Sequence, residues 1–278
     1  MKKNIIRILF IMGIFATLSV LLYPIVANYV NSRSQSRIVS NYLDDVADMD
    51  DGNRQVILEA AYEYNRNLLY DTDRFNFTDK EMSKYRQQLN AGNGIMGVLN
   101  IEKIDVNLPI YHGTDEGVLQ IGTGHLEGTS LPVGGKGTRS FLTGHRGLPS
   151  SKLLSDLDKM AKGNLFTIYI MGETITYMVD DIQTVLPSEV NDLKIFSDKD
   201  YCTLVTCTPY GINTHRLLVR GYRVENGSNN QLEMIYDGAK QLKKIIVVGI
   251  FMILGLPFLL IIAIIRCVKI YKKGRAHQ

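Results

Sequence analysis

Cysteine is scarce in this chain, with three in 278 residues: Cys202, Cys207 and Cys267. So few exclude a small disulfide-stapled scaffold. Cys202 and Cys207 stand five apart on one presumed strand, which turns them to opposite faces, too far apart to bridge. No internal repeat, low-complexity tract or metal-spaced Cys/His cluster is found, so neither a metal nor a cofactor is expected. Gly134-Gly135-Lys136-Gly137-Thr138 lacks the G-x-x-x-x-G-K-[ST] spacing of a phosphate loop. Excess charge is also small. The formal net charge of +3 is largely accounted for by basic residues beside two apolar runs, which gives no reason to expect a nucleic-acid partner.

Those two runs are the most prominent feature present. Ile5 to Val26 is apolar apart from Arg7, and Ile245 to Ile265 carries no charge. Each approximates the ~20 residues a helix needs to cross a bilayer. Lys2, Lys3 and Arg7 flank the first run, and Arg266, Lys269, Lys272, Lys273 and Arg275 follow the second. Lys240, Lys243 and Lys244 precede the second run, yet five basic residues against three still put both termini in the cytoplasm. A cleaved signal peptide is the alternative for the first run. Its length and the lack of a small-x-small site after it favour an uncleaved anchor. The expected division is a basic end and anchor over 1–27, an extracellular helical segment and loop over 28–90, a catalytic domain over 91–225, a linker over 226–244, a second span over 245–266 and a basic tail over 267–278.

Between the runs, Ile38, Val39, Tyr42, Leu43 and Val46 keep helical spacing, Asp50-Asp51-Gly52 breaks it, and Val56, Ile57, Ala60, Ala61, Tyr64 and Leu68 resume it. Asp71 to Asn90 is polar, with Phe75 and Phe77 as isolated aromatics. From Gly97 onward the pattern is short strands and turns: 98–101, 104–110, 140–143, 165–170, 175–186 and the two arms of a hairpin. One helix is expected over 149–160. Many short strands with glycine-rich turns point to a sandwich or a barrel.

The hairpin runs from Tyr201 to Tyr222 around the turn cluster Pro209, Gly211 and Asn213. If it pivots on Gly211 and Ile212, residues whose numbers sum to 423 lie opposite, so Cys207 faces Arg216 on one side of the sheet. A thiolate is the reactive form of cysteine, and a nearby fixed positive charge favours it. The same pair also fits a buried thiol with an arginine capping the rim. The hairpin alone does not decide.

A cysteine nucleophile needs a proton carrier, for which histidine is suited. His277 lies on the cytoplasmic side of the expected topology, His215 points to the face opposite Cys207, and His112 ends an early strand. His125 and His145 remain, both beside glycine. His145 follows an apolar strand, which delivers side chains to a barrel rim, and is favoured on that pattern.

Thr203-Leu-Val-Thr-Cys207 with Arg216 and Thr143-Gly-His-Arg-Gly147 resemble the sortases, membrane-anchored cysteine transpeptidases of Gram-positive bacteria. The runs His125 to Gly135, Thr143 to Ser150 and Cys207 to Gly221 resemble the class C, pilus-polymerising branch. This resemblance covers about residues 55 to 225. It implies an eight-stranded β-barrel in which Cys207 attacks the Thr–Gly bond of an LPxTG-like signal, His145 is the acid and base, and Arg216 positions substrate and stabilises the oxyanion. The implied partners are pilins bearing that signal, an acceptor pilin lysine and the cytoplasmic membrane. A lipid-linked cell wall precursor is the acceptor in the wall-anchoring alternative, and a non-catalytic assembly factor is the alternative outside enzymes. Thr143 and Thr206, next to the histidine and the cysteine in these motifs, are expected to contact substrate. Class C members carry an Asp-Pro-aromatic lid, with the aspartate near the arginine and the ring over the cysteine. Here Asp73-Arg74-Phe75 is the nearest match, and without proline a looser lid is expected.

Overall fold

A computed structural model of the chain describes residues 2–92, 94–189 and 193–225. Helix α1 (Lys2–Asp48) runs unbroken through the expected boundary between anchor and ectodomain. Its first part is long and apolar enough to cross a membrane, and the apolar window has no side chain buried in the protein. Its second part is amphipathic, and Val39, Tyr42, Leu43 and Val46 are buried against the domain that follows. Helix α2 (Asp51–Leu68) starts where the acidic break was read, because the Asp50 carboxylate accepts from the backbone N–H of Gly52 at 2.9 Å. Buried Asn65 pins it to the domain by donating to the Leu131 carbonyl at 3.0 Å and accepting from the Leu131 N–H at 2.7 Å.

Helix α3 (Asp79–Gln87) lies in the segment read as aperiodic, and it starts on a capping box between Thr78 and Glu81. It buries Tyr85 completely. The strands are β1 (Ile95–Ile101), β2 (Val106–His112), β3 (Thr123–His125), β4 (Thr138–Thr143), β5 (Leu165–Ile170), β6 (Glu173–Val185), β7 (Asp200–Thr208) and β8 (His215–Val224). They close into a barrel in the order β1-β2-β3-β4-β7-β8-β6-β5. A short helix, α4 (Glu116–Leu119), precedes β3.

The pairing explains why one edge gathers polar side chains. Strands β4 and β7 are parallel neighbours, and β7 and β8 form the expected hairpin with Cys207 opposite Arg216. On β4 and β7 the even positions Ser140, Leu142, Cys202, Leu204 and Thr206 turn inward and are buried. The odd positions face outward.

The helix expected over 149–160 is not there. Leu153, Leu154, Leu157 and Met160 have helical spacing and are buried, but Leu153 has a positive φ of 40° and the Leu154 N–H bonds the His145 carbonyl instead of a helical partner. Only Leu157–Lys159 coils, as a single 3-10 turn. The expected second span over 245–266, the linker and the tail lie outside the described residues.

Candidate active site

The site is built by continuing a strand register. Thr143 pairs with Val205, the Gly144 N–H donates to the Val205 carbonyl at 3.1 Å, and the Thr206 hydroxyl donates to the Gly144 carbonyl at 2.8 Å. That pair ends the ladder, and two residues past it on each chain come His145 and Cys207. Cys207 is in turn opposite Arg216. A histidine, a thiol and a guanidinium therefore come to one rim of the barrel, the thiol and the guanidinium directly opposite each other.

Each member is held by backbone. The His145 carbonyl accepts from the Leu154 N–H at 3.2 Å, and the Gly147 N–H donates to Ser155 Oγ at 3.1 Å. Gly144 cannot be larger, since a Cβ there would sit 2.9 Å from the buried Leu154 side chain. His145 Nε2 lies 3.2 Å from both carboxylate oxygens of exposed Glu116, leaving Nδ1 free for a proton. Hydrogen bonds from Gln120 and then His145 hold the Glu116 carboxyl below the usual glutamate range. Among the described residues Arg216 donates to the carbonyls of Asn213 at 3.4 Å and His215 at 3.3 Å through one nitrogen, so most of its fork of donors is left over. Cys207 is half-buried and unbridged.

A groove lies on the same face of the sheet, short of this rim. Arg139, Phe141, Thr203, Leu218 and Arg220 line it, with Asp181, Gln183, Val185 and Glu189 from the far side. This arrangement offers a nucleophile, a proton carrier and an anion-stabilising cation at one rim.

A family model described as the sortase domain matches residues 99–224. A sortase C1 from Streptococcus agalactiae is 52% identical, with 69% of this chain and 100% of that one covered at a TM-score of 0.66. The chain belongs to the sortase family. A Streptococcus pneumoniae sortase C, described for its catalysis and pilin substrate specificity, is 39% identical over 69% of this chain and 98% of its own, at a TM-score of 0.63. A Bacillus subtilis sortase D is 26% identical over 152 residues, 54% of this chain and 73% of that protein.

The competing histidines of this sortase have other occupations. His125 is fully buried: its Nδ1 accepts from the Tyr85 hydroxyl at 2.8 Å and its Nε2 donates to the Ser130 carbonyl at 2.9 Å, the tautomer that satisfies both partners. Burial pushes its pKa down to about 4. His112 Nε2 bonds the Gln88 carbonyl at 2.6 Å, and His215 Nδ1 meets the Thr214 hydroxyl at 2.9 Å. Thr206 is buried on the inward face with its hydroxyl given to Gly144, so it positions the two strands and does not line the groove. Thr143 lies on the outward face, two residues short of His145.

The lid residues are held by contacts of their own. Asp73 forms a tight turn, accepting from the Asn76 side chain and from the Asn76 N–H, and Arg74 donates to the Leu193 carbonyl at 2.6 Å. Phe75 rests on Gly128, where a Cβ would fall 2.5 Å from its ring. Gly128 sits in the loop whose Leu126 N–H bonds the Phe141 carbonyl, four residues before His145. Among the described residues neither Asp73 nor Phe75 bonds Arg216.

Two side chains that pattern reading missed complete the rim. Glu116 gave no motif, being one of many acids. Buried Arg146 donates to Asp158 at 2.5 Å and to Thr208 Oγ1 at 3.0 Å, tying the residue after His145 to the residue after Cys207. Its signal was present in the Gly-His-Arg-Gly run itself.

Proposed function

We propose that this sortase is a membrane-anchored cysteine transpeptidase of pilus assembly. It would cleave an LPxTG-like sorting signal between Thr and Gly through a thioacyl intermediate and join the acyl group to a pilin lysine. The observation that carries the reading is that Cys207 lies opposite Arg216 at the rim of the barrel to which β4 also brings His145. Likeness to pilus-type relatives supports the pilin partner.

In this mechanism the Cys207 thiol passes its proton to His145 and attacks the threonine carbonyl carbon. The carbonyl oxygen takes up negative charge facing the free donors of Arg216. Collapse breaks the C–N bond, and His145 protonates the departing glycine amine, leaving a thioester. The lysine ε-amine then attacks the thioester carbonyl. An isopeptide bond forms, the C–S bond breaks, and His145 returns the amine proton to the thiolate. No cofactor enters. The exposed apolar part of α1 would be the anchor, and a second span over 245–266 with both termini cytoplasmic completes the topology.

The test is the full chain in detergent with a sorting-signal peptide and purified pilin. A mass adduct on Cys207 and lysine-linked oligomers are expected. An adduct followed only by hydrolysis or transfer to a glycine amine would replace the pilin acceptor with the cell wall precursor. No adduct at all would overturn the enzymatic reading.

A further inference from the structure

Helix α1 fixes which end of the barrel faces its own apolar segment. That segment ends at Val26, and the polar side chains after it are spent on the barrel. Asn28 Oδ1 accepts from the Lys152 N–H at 2.7 Å, Asn31 Nδ2 donates to the Ser150 carbonyl at 2.9 Å, and Gln35 Nε2 donates to the Ile121 carbonyl at 3.1 Å. Further along, the Tyr42 hydroxyl donates to the Met96 carbonyl at 3.0 Å and accepts from the Met171 N–H at 3.1 Å. Pairing around the barrel gives β1 the same direction as β4 and β7. Met96 in β1 and Met171 after β5 therefore mark the end where β4 and β7 begin. The loop 145–152 marks the end where they finish, beside Cys207. The helix meets the barrel at the cysteine-bearing rim and leaves at the opposite one.

Depth follows from helix geometry. At 1.5 Å per residue, Asn28 and Asn31 lie about 3 Å and 8 Å beyond Val26, and a headgroup layer is about 5–8 Å deep. Tilting the helix only reduces these heights. The loop they hold reaches His145 directly, through the bond from Leu154 to its carbonyl. The rim also leaves large apolar side chains uncovered. Ile121 is 47% exposed, Leu186 after β6 is 44% exposed, and Tyr210 and Ile212 in the turn after Cys207 are 61% and 67% exposed. Tyrosine with aliphatic neighbours at this depth suits the interface between headgroups and acyl chains.

We propose that the rim bearing Cys207 rests in the outer headgroup layer of the bilayer that α1 crosses, with the turn 209–213 as its main contact. This rests on reading α1 as a membrane anchor. The groove toward Arg139 then points away from the bilayer. An acyl donor presents its scissile bond at the lipid surface while its folded body stands outward.

The chain has no tryptophan, so one introduced residue reports alone. Full-length I212W, Y222W and F10W would each be reconstituted in phosphatidylcholine–phosphatidylglycerol vesicles containing lipids brominated near the headgroup end of the acyl chain. Tyr222 lies at the opposite rim, paired with Tyr201, and Phe10 lies in the apolar part of α1. I212W should lose most of its emission and shift to the blue, while Y222W keeps its emission. L186W repeats the measurement from another element should I212W misfold. Quenching of F10W with I212W and L186W unquenched would overturn the proposal and leave the anchor intact. Equal quenching of I212W and Y222W would overturn it in favour of a barrel lying on its side. An unquenched F10W would remove the anchor reading and the proposal with it.

Discussion

On strand β7, Cys202 is buried inside the barrel between Ser140 and Gly221, whereas Cys207, five residues on, is half-buried at the rim opposite Arg216. Burial, with the negative charge of Asp200 adding to it, pushes the Cys202 thiol well above the usual range. The inner thiol is closed off in the barrel and behaves as a small apolar filler. Two histidines repeat the contrast. His125 is enclosed with both nitrogens satisfied, and His145 is partly open with one nitrogen free. One residue type acquires opposite roles from the parity of its position and from what closes over it.

The sharpest way to break the comparison is to delete each sulfur. C207A should lose at least about a thousandfold in acyl-adduct formation, as expected for removal of a nucleophile. C202A should keep the chemistry and cost about 1–2 kcal/mol of stability through the small cavity it leaves. Peptide mass mapping of adducts and thermal unfolding of the full chain measure the two effects. An active C207A would dissolve the distinction.

A milder probe leaves both thiols in place. Iodoacetamide under native conditions should label Cys207 more than about a hundredfold faster than Cys202, because the inner thiol reacts only when the barrel opens. Denaturant should erase the difference. Comparable native rates would mean that β7 opens locally.

The histidine pair separates in stability against pH. The folded pKa of His125 is about 4, against about 6.5 for the free side chain. A depressed histidine favours folding while neutral. Its stabilisation is complete above pH ~6.5, declines as the unfolded chain binds the proton, and is exhausted near pH 4, about 3 kcal/mol in all. H125Q should flatten the melting temperature across that window and lower it at neutral pH. Thermal melts from pH 4 to 8 decide, and an unchanged slope in H125Q would move the acid sensitivity elsewhere.

Much of this was legible in residue order and some was not. The hairpin register followed from one turn and the period of two, so Cys207 against Arg216 needed no structure. His145 was favoured over His125 from pattern and likeness, but the reason for His125 was not legible: Tyr85 caps its buried ring from α3, and α3 was hidden by its polarity although Thr78 and Glu81 spelled its capping box. Strand β3 is only Thr123–His125, stabilised by hydrogen bonds to Pro109 and Tyr85 more than by apolar pattern. The leucines of 153–157 kept helical spacing while their backbone was committed to His145, an arrangement that spacing cannot express. The lid was placed by likeness, and its seat on Gly128 depends on contacts distant in sequence.

The smallest effect tests whether the open histidine has a partner of consequence. Glu116 reaches His145 with both oxygens at 3.2 Å, but it is two-thirds exposed, and an exposed ion pair is weakened by solvent and salt. E116Q keeps the size and removes the charge. Acyl transfer should fall by only about two- to fivefold, and the deficit should shrink between about 0.05 M and 0.5 M salt. A salt-independent loss of the same size would mean that Glu116 acts by orienting the ring. No loss at all would leave His145 positioned by its backbone bond to Leu154 alone, which would widen the contrast with His125, whose ring is fixed by its own side-chain hydrogen bonds.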